Sequence, residues 1–192
     1  MTHHCNFKAD NGVDIEALEG ILADLHLRPE AAVFTFRSDC AWIEGTYSTN
    51  NLNGFFGLGQ ENKRKQTFYV ESDHPESLYG ADRAPTAPEI VLAALASCLT
   101  AGIAATAQQR GIQLNAVCAK VEGDMDARGL LGLDGDIRRG FSEIRAWFEI
   151  DADACAEAIK VLVRQSQDRS AVFDILTRPT QVNVFATNST RE

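Results

Sequence analysis

Between Ile90 and Ala107 the chain runs for eighteen residues without a charged side chain, and seven of those positions are alanine. A helix that is apolar on every face needs cover on nearly every face. A lipid bilayer would give it, but a span needs about 20 predominantly apolar residues. Here Ser97, Thr100, Gly102 and Thr106 dilute the run, and no cluster of Lys or Arg flanks it to set an orientation. The pattern therefore predicts a buried central helix over about 88–110. Pro88 fits its first turn, Glu89 sits where the helix dipole favours a carboxylate, and Arg110-Gly111 supplies a closing cation and a left-handed cap.

On either side the periodicity changes. Val13, Ala17, Leu18, Ile21, Leu22 and Leu25 recur at helical spacing, so a first helix is expected from an Asn11 cap to Leu27, stopped by Pro29. Ala32–Arg37 and Ala41–Ser48 read as short strands joined by a Ser38-Asp39 turn. A Gly- and Asn-rich loop follows, then a strand over Gln66–Ser72. The glycines at 54, 57 and 59 lack the strand-then-helix setting of a phosphate loop. Residues 73–87 form a connecting loop.

After the central helix, Leu114 to about Asp124 and Phe141–Ile150 alternate as strands. The intervening DMDARGLLGLDGD is not a calcium loop, since Arg128 and Gly135 fall where ligands are required. Asp151 or Asp153 is expected to cap a helix to about Gln167, with Cys155, Ile159, Leu162, Val163 and Ser166 on its buried face. A helical turn over Ala171–Leu176 and a last strand, Gln181–Phe185, complete the order. Helices and strands are segregated, which predicts an α+β fold with mainly antiparallel sheets. Covering the central helix calls for a second subunit.

Composition changes this picture little: 45% hydrophobic and 23% charged residues suit a soluble protein. The net charge of −9 argues against nucleic acid or an anionic membrane as partner. The N-terminus carries no apolar signal-like stretch, so a cytoplasmic setting with reduced thiols is expected. Five cysteines (5, 40, 98, 118, 155) and four histidines show no zinc-ligand spacing, and no metal or cofactor is expected. His3, His4 and Cys5 would bind metal only adventitiously.

Cysteine in a buried helix is ordinarily a small hydrophobe. Cys98 lies too far from its helix start for the dipole to act on it. Activation would need a cation from another segment, with Arg83 and Arg37 the available donors.

Three stretches, PTAPEIVLAALASCLTAGIAATAQQRGI, VEGDMDARGLLGLDGDIRRGF and RSAVFDILTRPTQV, resemble the OsmC/Ohr family of thiol-dependent hydroperoxide reductases. The likeness is strongest to its longer subgroup, whose N-terminal helical extension matches residues 1–30 here. Residues 31–187 would then form a single OsmC-like domain, with a β-rich half over 31–73, the central helix, and a second half over 114–187. The resemblance implies an intertwined homodimer with long central helices wrapped by sheets and sites at the subunit interface. It also implies that Cys98 is the peroxidatic cysteine, oxidised by an organic hydroperoxide to a sulfenic acid and restored by a thiol or dithiol.

Two departures matter. The family's second cysteine is replaced by Ser170, and a hydroxyl cannot form a disulfide. The glutamate that holds an arginine against the thiolate would be Glu89, but it stands one residue nearer to Cys98 than in two-cysteine members. One residue turns a helix by about 100°. Arg83 is the candidate arginine. Two functions follow: a one-cysteine hydroperoxide reductase in an antioxidant, oxidative-stress role, or a non-catalytic dimer binding a small apolar ligand at its interface pocket.

Overall fold

The computed structural model describes residues 9–188; Cys5, His3 and His4 lie outside them. Helix α1 spans Ile15–Leu27. Strands β1 (Thr35–Phe36), β2 (Asp39–Glu44), β3 (Tyr47–Gly57) and β4 (Gln60–Ser72) precede the central helix α2, Ala87–Gln109. Then come β5 (Leu114–Asp124), a single turn α3 (Ala127–Leu130), β6 (Glu143–Ala152), α4 (Ala156–Arg169) and α5 (Ala171–Thr177). The two sheets, β1–β4 and β5–β6, are antiparallel throughout. The expected α+β class therefore holds.

Several local expectations do not. Asp14, not Asn11, caps α1, its carboxylate accepting from the Ala17 amide. Asn11 instead clamps the turn after α2: it donates to Ile112 O and accepts from the Leu114 amide. No reversal occurs at Ser38-Asp39, because β1 and β2 lie end to end along one side of β3. The chain turns at Gly45, where φ is +52°. The Gly- and Asn-rich stretch is hairpin rather than loop, turning at Leu58-Gly59, both with positive φ. Positive φ at both central residues matches the twist of the flanking strands.

β6 extends to Ala152, which delays α4 and makes Cys155 its N-cap. That cysteine is exposed rather than in the core. Gln181–Phe185 is not paired as a strand; Val182, Val184 and Phe185 are 77–89% exposed. A strand needs a neighbour's backbone, and among the described residues no strand pairs with this segment.

The core follows one face of α2. Leu95, Leu99, Ile103, Thr106 and Ala107 are buried at helical spacing, packed against α4, α5 and β5. The opposite face, with Ala93, Ala94, Ser97 and Ala101, is exposed. So are Phe36, Trp42 and Tyr69 of the four-stranded sheet, and no residue of α1 is buried. The accessible surface totals 14571 Å². A folded monomer of 21.0 kDa exposes only about 9,000 Å². The twelve residues outside the described range, even fully extended, add no more than about 1,900 Å².

Candidate active site

The N-terminus of α2 is fixed by a capping box. Thr86 Oγ1 accepts from the Glu89 amide, while the Glu89 carboxylate accepts from the Thr86 amide at 2.7 Å. The Thr86 hydroxyl, and then its amide, hold the Glu89 carboxyl below the usual carboxylate range. Glu89 thus has its partners within its own helix turn, and no arginine is among them. Arg83 is paired with Glu44, which raises its pKa, and stacks 5.3 Å from the Tyr47 ring. Arg37 forks onto Glu61 at 2.8 and 2.9 Å. The folded chain brings none of these groups to the Cys98 sulfur.

The loop that carries Arg83 is pinned by Asp73, only 1% exposed. Its carboxylate accepts from the Thr46 hydroxyl at 2.6 Å and from the His74 and Arg83 amides at 2.8 and 3.3 Å. The Thr46 hydroxyl, followed by these amides, lowers the Asp73 pKa. The need for a carboxylate there was invisible in the sequence, where Asp73 reads as one more polar loop residue.

What does reach Cys98 is Ser170. Its Oγ donates to Cys98 Sγ at 3.1 Å, across 72 residues of chain. Ser170 is 5% exposed and also caps α5, accepting the Phe173 amide at 3.1 Å. The approach is set one turn along both helices. Ser166 Oγ donates to Leu99 O at 2.5 Å, and Gly102 lies so close that an added Cβ would meet Ser166 Oγ at 2.4 Å. A glycine is required there to let α4 sit against α2. Cys98 itself is half-buried. Cys40, Cys118 and Cys155 are exposed free thiols, and none hydrogen-bonds to it.

Beside this pair lies a cavity of about 780 Å³ between α2, β6, α4, α5 and the 125–142 connection. Leu95, Leu99, Phe148, Val163 and Phe173 give it an apolar wall, and Arg138 and Arg139 add two cations. Cys98 does not line it, although its helix neighbours do. Among the described residues no group of His, Cys, Asp or Glu is gathered as a metal would need.

The sequence pattern of the family described as OsmC-like protein matches residues 80–185, from the loop before α2 past the end of α5. The chain belongs to the OsmC-like protein family. That match contains both Cys98 and Ser170. Solved structures agree on the fold. The OsmC-like protein from Mycoplasma pneumoniae superposes with a TM-score of 0.57 at 17% identity, covering 74% of this chain and 86% of that one. An osmotic stress induced and detoxification response protein from Psychrobacter arcticus 273-4 gives 0.53 at 15%, covering 71% and 85%. An organic hydroperoxide resistance protein OsmC from Legionella pneumophila gives 0.51 at 14%, covering 76% and 91%. No curated protein matches the chain.

Proposed function

We propose that this OsmC-like protein is a thiol-dependent reductase of organic hydroperoxides that works with one peroxidatic cysteine, Cys98. One observation carries the reading: in the family's matched central helix, the Cys98 sulfur receives a partly buried hydrogen bond from the residue that stands in place of the second cysteine. The Legionella neighbour, described as an organic hydroperoxide resistance protein, supports the substrate class. The Cys98 thiolate attacks the O–O bond, an S–O bond forms, and the alkoxide leaves as the alcohol after taking a proton. The resulting sulfenic acid is reduced by external thiols, since Ser170 cannot close a disulfide.

We assign the working unit as a homodimer. The surface in excess of a folded monomer, the bare small-residue face of α2 and the unpaired 181–185 segment all support a second copy as cover. Arg83 and Glu89 remain candidates for activating the thiolate in that dimer, Arg83 by leaving Glu44. The free cysteines suit a reducing compartment such as the cytoplasm.

The test is direct. Reduced protein is treated with cumene hydroperoxide and a sulfenic-acid trap, adducts are mapped by mass spectrometry, and turnover is followed with dithiothreitol or a lipoyl dithiol. An adduct at Cys98 and loss of turnover in Cys98→Ser are expected. Peroxide consumption unchanged by Cys98→Ser would overturn the assignment. A second reading, a non-catalytic dimer binding a small apolar ligand, is favoured by the apolar cavity beside α2. It would be supported by ligand retention with no Cys98 adduct.

A further inference from the structure

We propose that Ser170 is itself a catalytic residue: its hydroxyl is the hydrogen-bond donor that holds the Cys98 sulfur as a thiolate before attack and as a sulfenate afterwards, leaving the oxidised sulfur to an external thiol. The assignment rests on Cys98 being peroxidatic and says what the serine adds to that chemistry. Replacement of the second cysteine reads as a loss in the sequence. The geometry points to a gain.

The hydroxyl's orientation is set by its second bond. Ser170 Oγ already accepts the Phe173 N–H at 3.1 Å, so one lone pair is occupied and the hydroxyl proton is free to point elsewhere. Its partner is Cys98 Sγ, also at 3.1 Å. At 5% exposure the serine has little water to compete for that proton, and a hydrogen bond in such surroundings is stronger than in bulk solvent. A thiol can serve as donor or acceptor, but a thiolate only accepts. The bond therefore strengthens as the sulfur becomes negative, as hydrogen bonds to ionised groups do. The same donor serves a sulfenate oxygen once the S–O bond has formed.

The consequence for the cycle is chemical. In a two-cysteine enzyme the sulfenic acid is consumed within the chain. Here the nearest neighbour donates a hydrogen bond and has no sulfur to offer, and the three other described cysteines are exposed and make no contact with Cys98. An external thiol R′SH attacks the sulfenic sulfur once its oxygen has taken a proton from solvent: an S–S bond forms, the S–O bond breaks, and the OH group leaves as water with the thiol's proton. A second R′SH then breaks the mixed disulfide, giving R′S–SR′ and the Cys98 thiol.

Two measurements on the intact protein test this. The first uses no peroxide: the rate at which iodoacetamide alkylates Cys98 at pH 7, in wild type, Ser170→Ala and Ser170→Thr. Loss of a hydrogen bond to a charged acceptor reduces the thiolate population, partly offset by greater nucleophilicity, so Ser170→Ala is expected to react roughly three- to tenfold more slowly. Ser170→Thr, which keeps both the donor and the cap, is expected to restore the rate. Equal rates in wild type and Ser170→Ala, or a fall that threonine does not rescue, would overturn the proposal. The second uses Ser170→Cys with one equivalent of cumene hydroperoxide. A sulfur this close to Cys98 is expected to close a disulfide, seen as the loss of two hydrogens in intact mass and the loss of trap adduct. Oxidation of Cys98 in wild type without a disulfide in Ser170→Cys would place the side chains apart and overturn the proposal. No oxidation of Cys98 in wild type, combined with slower alkylation of Ser170→Ala, would sink the peroxidase reading and leave the hydrogen-bond assignment standing.

Discussion

Gly102→Ala is the substitution that most directly probes how Cys98 and Ser170 are brought together. In an isolated helix it would be favourable, because alanine exceeds glycine by about 1 kcal/mol in helix propensity. Here the new methyl would lie 2.4 Å from Ser166 Oγ, 3.1 Å from Ser166 Cβ and 3.3 Å from Ser166 Cα. Turning the Ser166 side chain cannot relieve all three contacts, and it would break the bond to Leu99 O. The helices must separate by several tenths of an ångström or more. Overpacking of this kind costs about 1–3 kcal/mol, and the lost buried hydrogen bond adds about 1 kcal/mol. The net expectation is destabilisation by about 2 kcal/mol, or roughly 4–8 °C in Tm at fixed protein concentration. Urea denaturation of the wild type, Gly102→Ala, Ser166→Ala and the double variant would measure it, with a coupling energy of about 1 kcal/mol expected between neighbours in contact. Because Ser166 and Ser170 are one turn apart on the same segment, Gly102→Ala should also slow the alkylation of Cys98. A Gly102→Ala protein about 1 kcal/mol more stable than wild type, with no coupling to Ser166, would refute this account of the crossing.

Other expectations are equally specific. Glu89→Gln should leave stability nearly unchanged, because glutamine also completes a capping box. Unaltered peroxidase turnover would then confine Glu89 to capping, and lost turnover would assign it to the thiolate. Asp73, whose pKa is lowered on folding, contributes stability that is fully present above its unfolded value of about 4 and fades as pH falls through the lower folded value. Acid melting curves should therefore be shallower in Asp73→Asn than in wild type, and identical slopes would refute the role given to its Thr46 and amide bonds. Sedimentation at micromolar concentration should give a dimer, and truncation after Arg178 should weaken it; a stable monomer would remove the second copy from the scheme.

Much of the fold was legible in the sequence because its causes are local. The charge-free run from Ile90 to Ala107 demanded a buried helix, and Pro88, Arg110 and Gly111 marked its ends to within a residue. Alternation located β5 and β6. Where turn chemistry competed, the reading failed. Ser38-Asp39 looked like a reversal, but the reversals fall at Gly45 and at Leu58-Gly59, because pairing with the long β3 decides where the chain can fold back. Cys155 fitted a helical face by spacing and became a cap because β6 ran two residues further than expected.

The sequence by itself determined the segregated α+β order, the central apolar helix, the position of Cys98 within it and the substitution at Ser170. Periodicity and composition act over a few residues, and these features need nothing more. Only the tertiary structure decided that Ser170 touches the Cys98 sulfur and that Arg83 pairs with Glu44. It also showed that Gly102 is the point where α4 meets α2. The Cys98–Ser170 contact and the Gly102 packing depend on two helices crossing more than sixty residues apart in the chain, and the crossing is set by which side chains can interlock once both helices exist.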